Sequence, residues 1–252
     1  MSFEDMFLEI AGINKIKTYN FVLYMPRYDK KWDGDEMPDT TIANIEVPSD
    51  YLRRKSLIDI GLQLNSAVIN YFGFHDLSTG ILGIPSNDFT EEHDSELKIT
   101  FPCYVSDQDR YAISYTCFGI RSLCVNKDNE LKHMKHVDFG ICSDHLENEK
   151  DRNEIYDKIM GDLKEIRTGE GWFVHSGASF HYHGKNTLKI REWSEYMNTL
   201  KKQAKKDNTT LDKKWPEIQM EKNESILRVE ASIEKPKPKI LGDIKEQPTL
   251  FD

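Results

Sequence analysis

The chain has 252 residues, of which 38% are hydrophobic, 11% aromatic and 31% charged, with a formal net charge of −9. That length carries one large domain or two small ones around a packed core, and the acidic balance excludes a protein that coats nucleic acid through a generally basic surface. No apolar run approaches the roughly 18 residues that span a bilayer, and the acidic opening with Glu4, Asp5 and Glu9 lacks the basic-then-apolar order of a secretory signal.

Taken in chain order, residues 1–15 read as a short helix and 18–25 (TYNFVLYM) as a strand. Residues 27–39 are polar and turn-rich. Residues 49–71 read as one amphipathic helix, with Leu52, Leu57, Ile60, Leu62, Val68 and Ile69 at roughly helical spacing and Asp50 as its cap. Residues 72–93 read as loop.

The period then changes. Residues 98–105 and 111–123 predict strands joined by the turn-like SDQDR, and 136–142 (HVDFGIC) predicts another. Residues 151–166 predict a helix with Ile155, Ile159, Leu163 and Ile166 on one face. Residues 171–183 predict two strands joined at Ser176-Gly177. A second helix follows over 188–206, apolar at Ile190, Trp193, Tyr196, Met197 and Leu200, and a strand over 226–232. From residue 98 the order implies an α+β fold: an RRM-like or split βαβ sheet, antiparallel or mixed, carrying helices on one side. From 234 onward Lys-Pro repeats disfavour helix and sheet, so 234–252 reads as a flexible linker ending in a peptide. Residues 1–97 either complete the sheet's other half or form a small helical partner.

The four cysteines, Cys103, Cys117, Cys124 and Cys142, form no CxxC pair. Thiols in apolar, strand-like runs are usually reduced and buried, which fits a cytoplasmic location better than a zinc site.

Three segments bear chemistry. Asp138 lies inside an apolar strand, where an ionised carboxylate is costly unless paired or bound to metal; a strand-end Asp at a sheet edge is the plainer reading. In SGASFHYHG, alternation puts Ser179, His181 and His183 on one face and Phe180 and Tyr182 on the other. A hydroxyl and two imidazoles then line a surface suited to phosphate oxygens or metal. Leu211-Asp212, after the basic stretch, is by itself an ordinary polar turn. His75, His93, His133, His136, His145 and His175 show no metal-ligand spacing, although His133 and His136 stand close enough to Asp138 to support it from behind. There is no P-loop, Rossmann glycine pattern or nucleophile elbow.

In this order the three segments resemble the motifs of the archaeo-eukaryotic primase superfamily, the primases and primase-polymerases. Residues 136–140 resemble its Asp-x-Asp strand, Ser179-Phe180-His181 its Ser-x-His strand, and Leu211-Asp212 its hydrophobic-Asp motif. Ile226-Leu227-Arg228-Val229 is similar to the Leu-Arg strand that often follows. The resemblance covers about residues 98–232 and implies a primase-like nucleotide-binding core over 98–233. It implies that Asp138 and Asp212 hold Mg²⁺ or Mn²⁺, with Asp138, His181 and Asp212 catalytic. Ser179, His181 and Arg228 would contact a nucleotide triphosphate, and the basic helix over 189–206 would face nucleic acid unless it is merely solvated surface. Gly140 stands where the family has its second carboxylate; Asp144 lies past the strand.

Two functions follow as expectations. One is template-dependent nucleotidyl transfer in DNA replication, repair or mobile-element biology. The alternative is an inactive primase-like module that binds nucleic acid. A third reading is an unrelated α/β scaffold. The final QPTLFD resembles the Gln-x-x-Leu-Phe peptide by which bacterial proteins dock on the sliding clamp, with Gln247, Leu250 and Phe251 as its anchors.

Overall fold

A computed structural model describes residues 1–25, 40–72, 95–101, 117–141, 149–177, 179–230 and 237–244. Helix α1 (Phe3–Asn14) opens on a reciprocal cap, in which Ser2 Oγ accepts from Asp5 N–H and the Asp5 carboxylate accepts from Ser2 N–H. Phe3, Met6, Phe7 and Ile10 recur at helical spacing and are buried. The helix stops at Lys15, whose left-handed φ of 53° lets its N–H reach the Ala11 carbonyl.

Strand β1 (Ile16–Met25) follows, then β2 (Thr40–Pro48), which the pattern reading left unassigned. The single helix expected over 49–71 is two elements: a 3₁₀ turn at Tyr51–Arg53 and α2 (Leu57–Phe72). Asp50 makes no capping bond. The start of α2 is set instead by Ser56 and Asp59, whose side chains each accept the other's N–H, at 3.2 and 3.0 Å.

Strands β3 (Lys98–Thr100), β4 (Cys117–Asn126) and β5 (Leu131–Asp138) lead to α3 (Glu149–Glu165). The hairpin β6 (Gly171–His175) and β7 (Phe180–Leu188) turns at Ser176-Gly177, as the sequence predicts. A Cβ on Gly171 would lie 2.4 Å from the Tyr182 ring, so only glycine admits that ring. After it come α4 (Ile190–Ala204), a short α5 (Trp215–Glu221), β8 (Ile226–Arg228) and β9 (Lys239–Ile244).

The described strands form one nine-stranded sheet, ordered β3-β2-β1-β4-β5-β7-β6-β9, with β8 also paired to β4. The eight registered strand pairs are all antiparallel. The described part of residues 1–97 therefore completes the sheet: β1 bonds along β4, and α1 and α2 cover the adjoining face. β4 meets β5 through Leu123–Val125 and β8 through Gly119–Arg121.

Helices cover both faces, not the one side expected. On β6, Trp172 and Val174 enter the core beneath α1 and α2, while Phe173 between them enters the core beneath α3 and α4. A strand alternates its side chains, so these are opposite faces. Within the stretch expected to be linker, residues 239–244 form β9 on β6. The Lys-Pro run ends just before it, and Lys185 Nζ draws Asp243, Glu9 and Glu170 to 2.8, 3.3 and 3.7 Å while lying over the Trp172 ring. No helix among the described residues is long and apolar enough to cross a membrane.

Candidate functional site

The site forms where β5 ends and β7 begins. Asp138 is the cross-strand partner of His181, and its Oδ1 lies 3.5 Å from His181 Nε2. The Asp138 side chain keeps 26% of its exposure and that of His181 keeps 9%. The alternation read from the sequence holds along β7. Phe180 stacks on Phe173 in one core, and Tyr182 OH donates to the Gly169 and Glu170 carbonyls. His183 packs edge-on against Phe3 and Phe7 of α1 on the other face.

Ser179 joins the two strand ends. Its hydroxyl donates to the Phe139 carbonyl, and its N–H donates to Ser176 Oγ. Arg228, 5% exposed on β8, donates to the carbonyls of Ser176 and Glu230. It thereby pins the β6–β7 turn, where Gly177 takes a φ of 95°.

The third segment, 209–212, lies along the end of β5. Gly140 N–H donates to the Thr210 carbonyl at 2.9 Å and Asp212 N–H to the Asp138 carbonyl at 3.1 Å. Buried Asp162 on α3 holds the segment, accepting from Thr210 N–H, both threonine hydroxyls and the Gln203 amide. Asp212 Oδ1 accepts from the N–H groups of Lys214 and Trp215 at 2.8 and 2.7 Å, satisfying free donors at the start of α5.

A chain of contacts thus links Arg228, Ser176, Ser179, Asp138, His181 and Asp212. Compared with protein-family models, with curated proteins and with solved structures, the chain matches none.

The carboxylates do not fit the two-ion arrangement that the resemblance implies. Two cations need several carboxylates to offset their charge. Here Asp138 turns to His181, one oxygen of Asp212 is committed to α5, and Asp144 lies outside the described residues. Among the described residues no group of three or more His, Cys, Asp or Glu side chains stands placed to hold a metal ion. Gly140 is part of this packing. A Cβ there would lie 3.2 Å from Asp212 Cα and 3.4 Å from the Leu211 carbonyl. Replacing it with the aspartate of the family pattern, Gly140→Asp, is expected to cost about 1–3 kcal/mol through overpacking. Urea unfolding measures this; an unchanged midpoint would mean that the two segments separate freely.

Charge around the site is mostly paired. On α4, Trp193, Tyr196, Met197 and Leu200 are buried. Of its basic residues, Arg191 pairs with Glu195 and Lys201 with Glu217, while Lys206 beyond its end pairs with Glu165. Both Glu165 and Glu217 are held below the usual carboxylate range by these lysines. The described cysteines, Cys117 and Cys124, are buried free thiols, and desolvation pushes Cys124 up to about 12.

Sequence reasoning missed two contributors. Asp162 gave no local signal, since its partners lie 41–48 residues away. The sequence offers His136 only as a support behind Asp138, yet its ring lies 5.0 Å from that of His183, its cross-strand partner. The signal was there in the alternation: His136-x-Asp138 on β5 mirrors His181-x-His183 on β7.

Proposed function

We propose that this chain is a cytoplasmic primase-polymerase-like protein that binds a nucleotide triphosphate and nucleic acid at the junction of β5, β7 and the 209–212 segment. The observation that supports this reading is the pairing of Asp138 with His181 across β5 and β7, with Ser179, Asp212 and Arg228 bonded to the backbone beside them. Imidazole, hydroxyl and guanidinium groups suit phosphate oxygens. Asp138 and the second oxygen of Asp212 are the donors through which one Mg²⁺ or Mn²⁺ accompanying a triphosphate would be held. The exposed basic residues of 189–206 are the surface assigned to nucleic acid.

Gly140 and the capping role of Asp212 favour the second reading, a primase-like core that binds without transferring nucleotides. A primer synthesis and extension assay with labelled nucleotides and Mn²⁺, run beside a nucleotide-binding titration, separates the two. Extension lost in Asp138→Ala and Asp212→Ala supports transfer. Binding without extension, weakened in His181→Ala, supports the binding module. An absence of nucleotide binding in the wild-type chain overturns both.

Gln247, Leu250 and Phe251 lie outside the described residues, and docking on a sliding clamp remains a proposal carried by their pattern. Deleting residues 247–252 is expected to abolish co-elution with a clamp; unchanged co-elution would end it.

A further inference from the structure

The sheet end where β1 and β5 begin is remote from the candidate site. Asp138 closes the other end of β5, roughly 23 Å away over eight residues that rise about 3.3 Å each. At the remote end α1 is tied down by Asn14, whose Nδ2 donates to the Lys185 carbonyl at 2.6 Å and whose Oδ1 accepts from Thr187 N–H at 2.9 Å. The next residue, Lys15, accepts Lys127 N–H of the β4–β5 turn on its carbonyl at 2.8 Å. Lys17 Nζ donates to Asn129 Oδ1 of the same turn at 3.1 Å. Leu131 and Ile190 each stand two positions beyond the registered pair His133↔Leu188, so both flank this end.

Two independent features coincide there. Lys15, Lys17, Lys127 and Lys189 are exposed, and among the described residues none of them forms an ion pair. Of the neighbouring acids, Glu130 is taken up by Lys132 and the Asn126 amide, at 2.8 and 3.1 Å, and Glu192 accepts Lys189 N–H at the start of α4; Asp128 is exposed. Beside the four cations, Ile13, Leu131 and Ile190 are 50%, 47% and 56% exposed. Half-exposed aliphatic side chains among unpaired lysines suit a partner that is anionic at its surface and apolar just beneath.

We propose that these four lysines and three aliphatic residues form a docking surface for an anionic lipid bilayer.

A negatively charged leaflet draws the four ammonium groups to its headgroups, each lysine adding to the attachment through the surface potential. The aliphatic tips then enter the acyl boundary and leave water. A nucleic-acid backbone would take the lysines but offers nothing to Ile13, Leu131 and Ile190, which decides for lipid. The chain's net charge of −9 sets the orientation, since an anionic leaflet repels the acidic remainder and attracts this end. Asn14 and the bond from Lys127 to Lys15 already fix the backbone, so docking has little left to order. The chain attached this way keeps Asp138 and His181 turned from the bilayer. The inference does not rest on the nucleotide reading.

Flotation of the full chain with vesicles tests this, using phosphatidylcholine alone and phosphatidylcholine with about 30% phosphatidylserine. Binding is expected on the anionic vesicles only, and is expected to fall several-fold as salt rises from about 0.05 to about 0.5 M. Lys15→Glu/Lys127→Glu is expected to weaken it roughly tenfold or more, while the charge-matched Lys158→Glu/Lys164→Glu, exposed on α3, changes it less than about twofold. Leu131→Ser/Ile190→Ser is expected to weaken binding about threefold or more, and that loss persists in high salt. All six positions are exposed, so the variants are expected to fold, which far-UV circular dichroism checks. Equal binding to neutral vesicles, equal loss in the two charge-reversed variants, or no binding to either vesicle overturns the proposal. Absence of vesicle binding together with duplex DNA binding that Lys15→Glu/Lys127→Glu abolishes and Leu131→Ser/Ile190→Ser leaves intact would give the surface to nucleic acid instead. Failure of the wild type to bind nucleotide while vesicle binding persists would sink only the nucleotide reading.

Discussion

Acidifying the protein from pH 7 to pH 5 is expected to remove a large part of its stability. Desolvation holds three buried histidines below their ordinary value of 6.5: His133 at about 4, His183 at about 3, and His136 well below it, with neighbouring imidazoles adding to its shift. In each the folded state favours the neutral ring and the unfolded state takes the proton first. Below pH 6.5 the unfolded chain therefore binds more protons, and stability falls as pH falls. The contribution is complete above about pH 6.5 and is lost progressively toward pH 4, where His133 begins to titrate in the fold. Each histidine contributes about 1.4 kcal/mol per pH unit in that window, so the three together approach about 4 kcal/mol per unit. Whole domains have only about 5–15 kcal/mol in reserve. Urea midpoints measured at pH 7, 6 and 5 are expected to fall steeply. The groups facing these rings include Asp138 from β5, His181 from β7, Ser122 Oγ at 3.0 Å from His133 Nδ1, and Ser225; no lysine or arginine is among them. In His183→Phe, which keeps a ring between Phe3 and Phe7, the slope is expected to drop by about a third. A urea midpoint unchanged from pH 7 to pH 5 would show that the rings reach water.

What the sequence made legible was local. The β6–β7 hairpin was readable because Ser176-Gly177 interrupts two apolar runs, and the faces of β7 because alternation leaves little choice. The apolar stripe of α4 likewise appears at the expected positions, with Trp193, Tyr196, Met197 and Leu200 buried, except at Ile190, which is exposed. Elements went unread where the pattern was short or a partner distant. β2 carries its alternation only through Ala43, Ile45 and Val47. The break between the 3₁₀ turn and α2 needed Ser56 and Asp59 to be recognised as a cap. β9 owes its place to β6 and to the Lys185 ion pairs, which the Lys-Pro run before it conceals. At the site, Ser179 and His181 could be placed from their spacing alone. The capping work of Asp212 could not, because α5 is only seven residues long, and its start at Trp215-Pro216 looked like part of a polar turn. The closeness of Gly140 to Asp212 joins residues 72 apart and leaves no mark on either segment.

The second large effect is expected at Asp162. This carboxylate, 7% exposed, joins three elements. Its Oδ1 takes the Gln203 amide of α4 at 2.7 Å, and its Oδ2 takes Thr210 N–H at 2.7 Å and the Thr210 and Thr209 hydroxyls at 2.6 and 3.2 Å. Gln203 and Thr210 are themselves buried. Asp162→Ala leaves their donors facing apolar core, with little water to replace the acceptor. Hydrogen bonds to a charged group contribute about 1.5–3 kcal/mol each, and stranded donors add to the loss. The sum is not additive in a shared network, so about 3–5 kcal/mol is expected from urea unfolding. Asp162→Asn, which keeps the shape and one of the two acceptor oxygens, is expected to lose less. The damage has a location as well as a size. Thr210 is the residue whose carbonyl receives Gly140 N–H, and Asp212, two positions on, bonds the Asp138 carbonyl. Releasing Thr209 and Thr210 is therefore expected to expose the amides of Gly140 and Asp212 to hydrogen exchange before the sheet itself opens. If those amides keep their protection while global stability falls, Asp162 serves only the packing of α3 against α4. If they lose it, the approach of Asp212 to Asp138 depends on this buried carboxylate of α3.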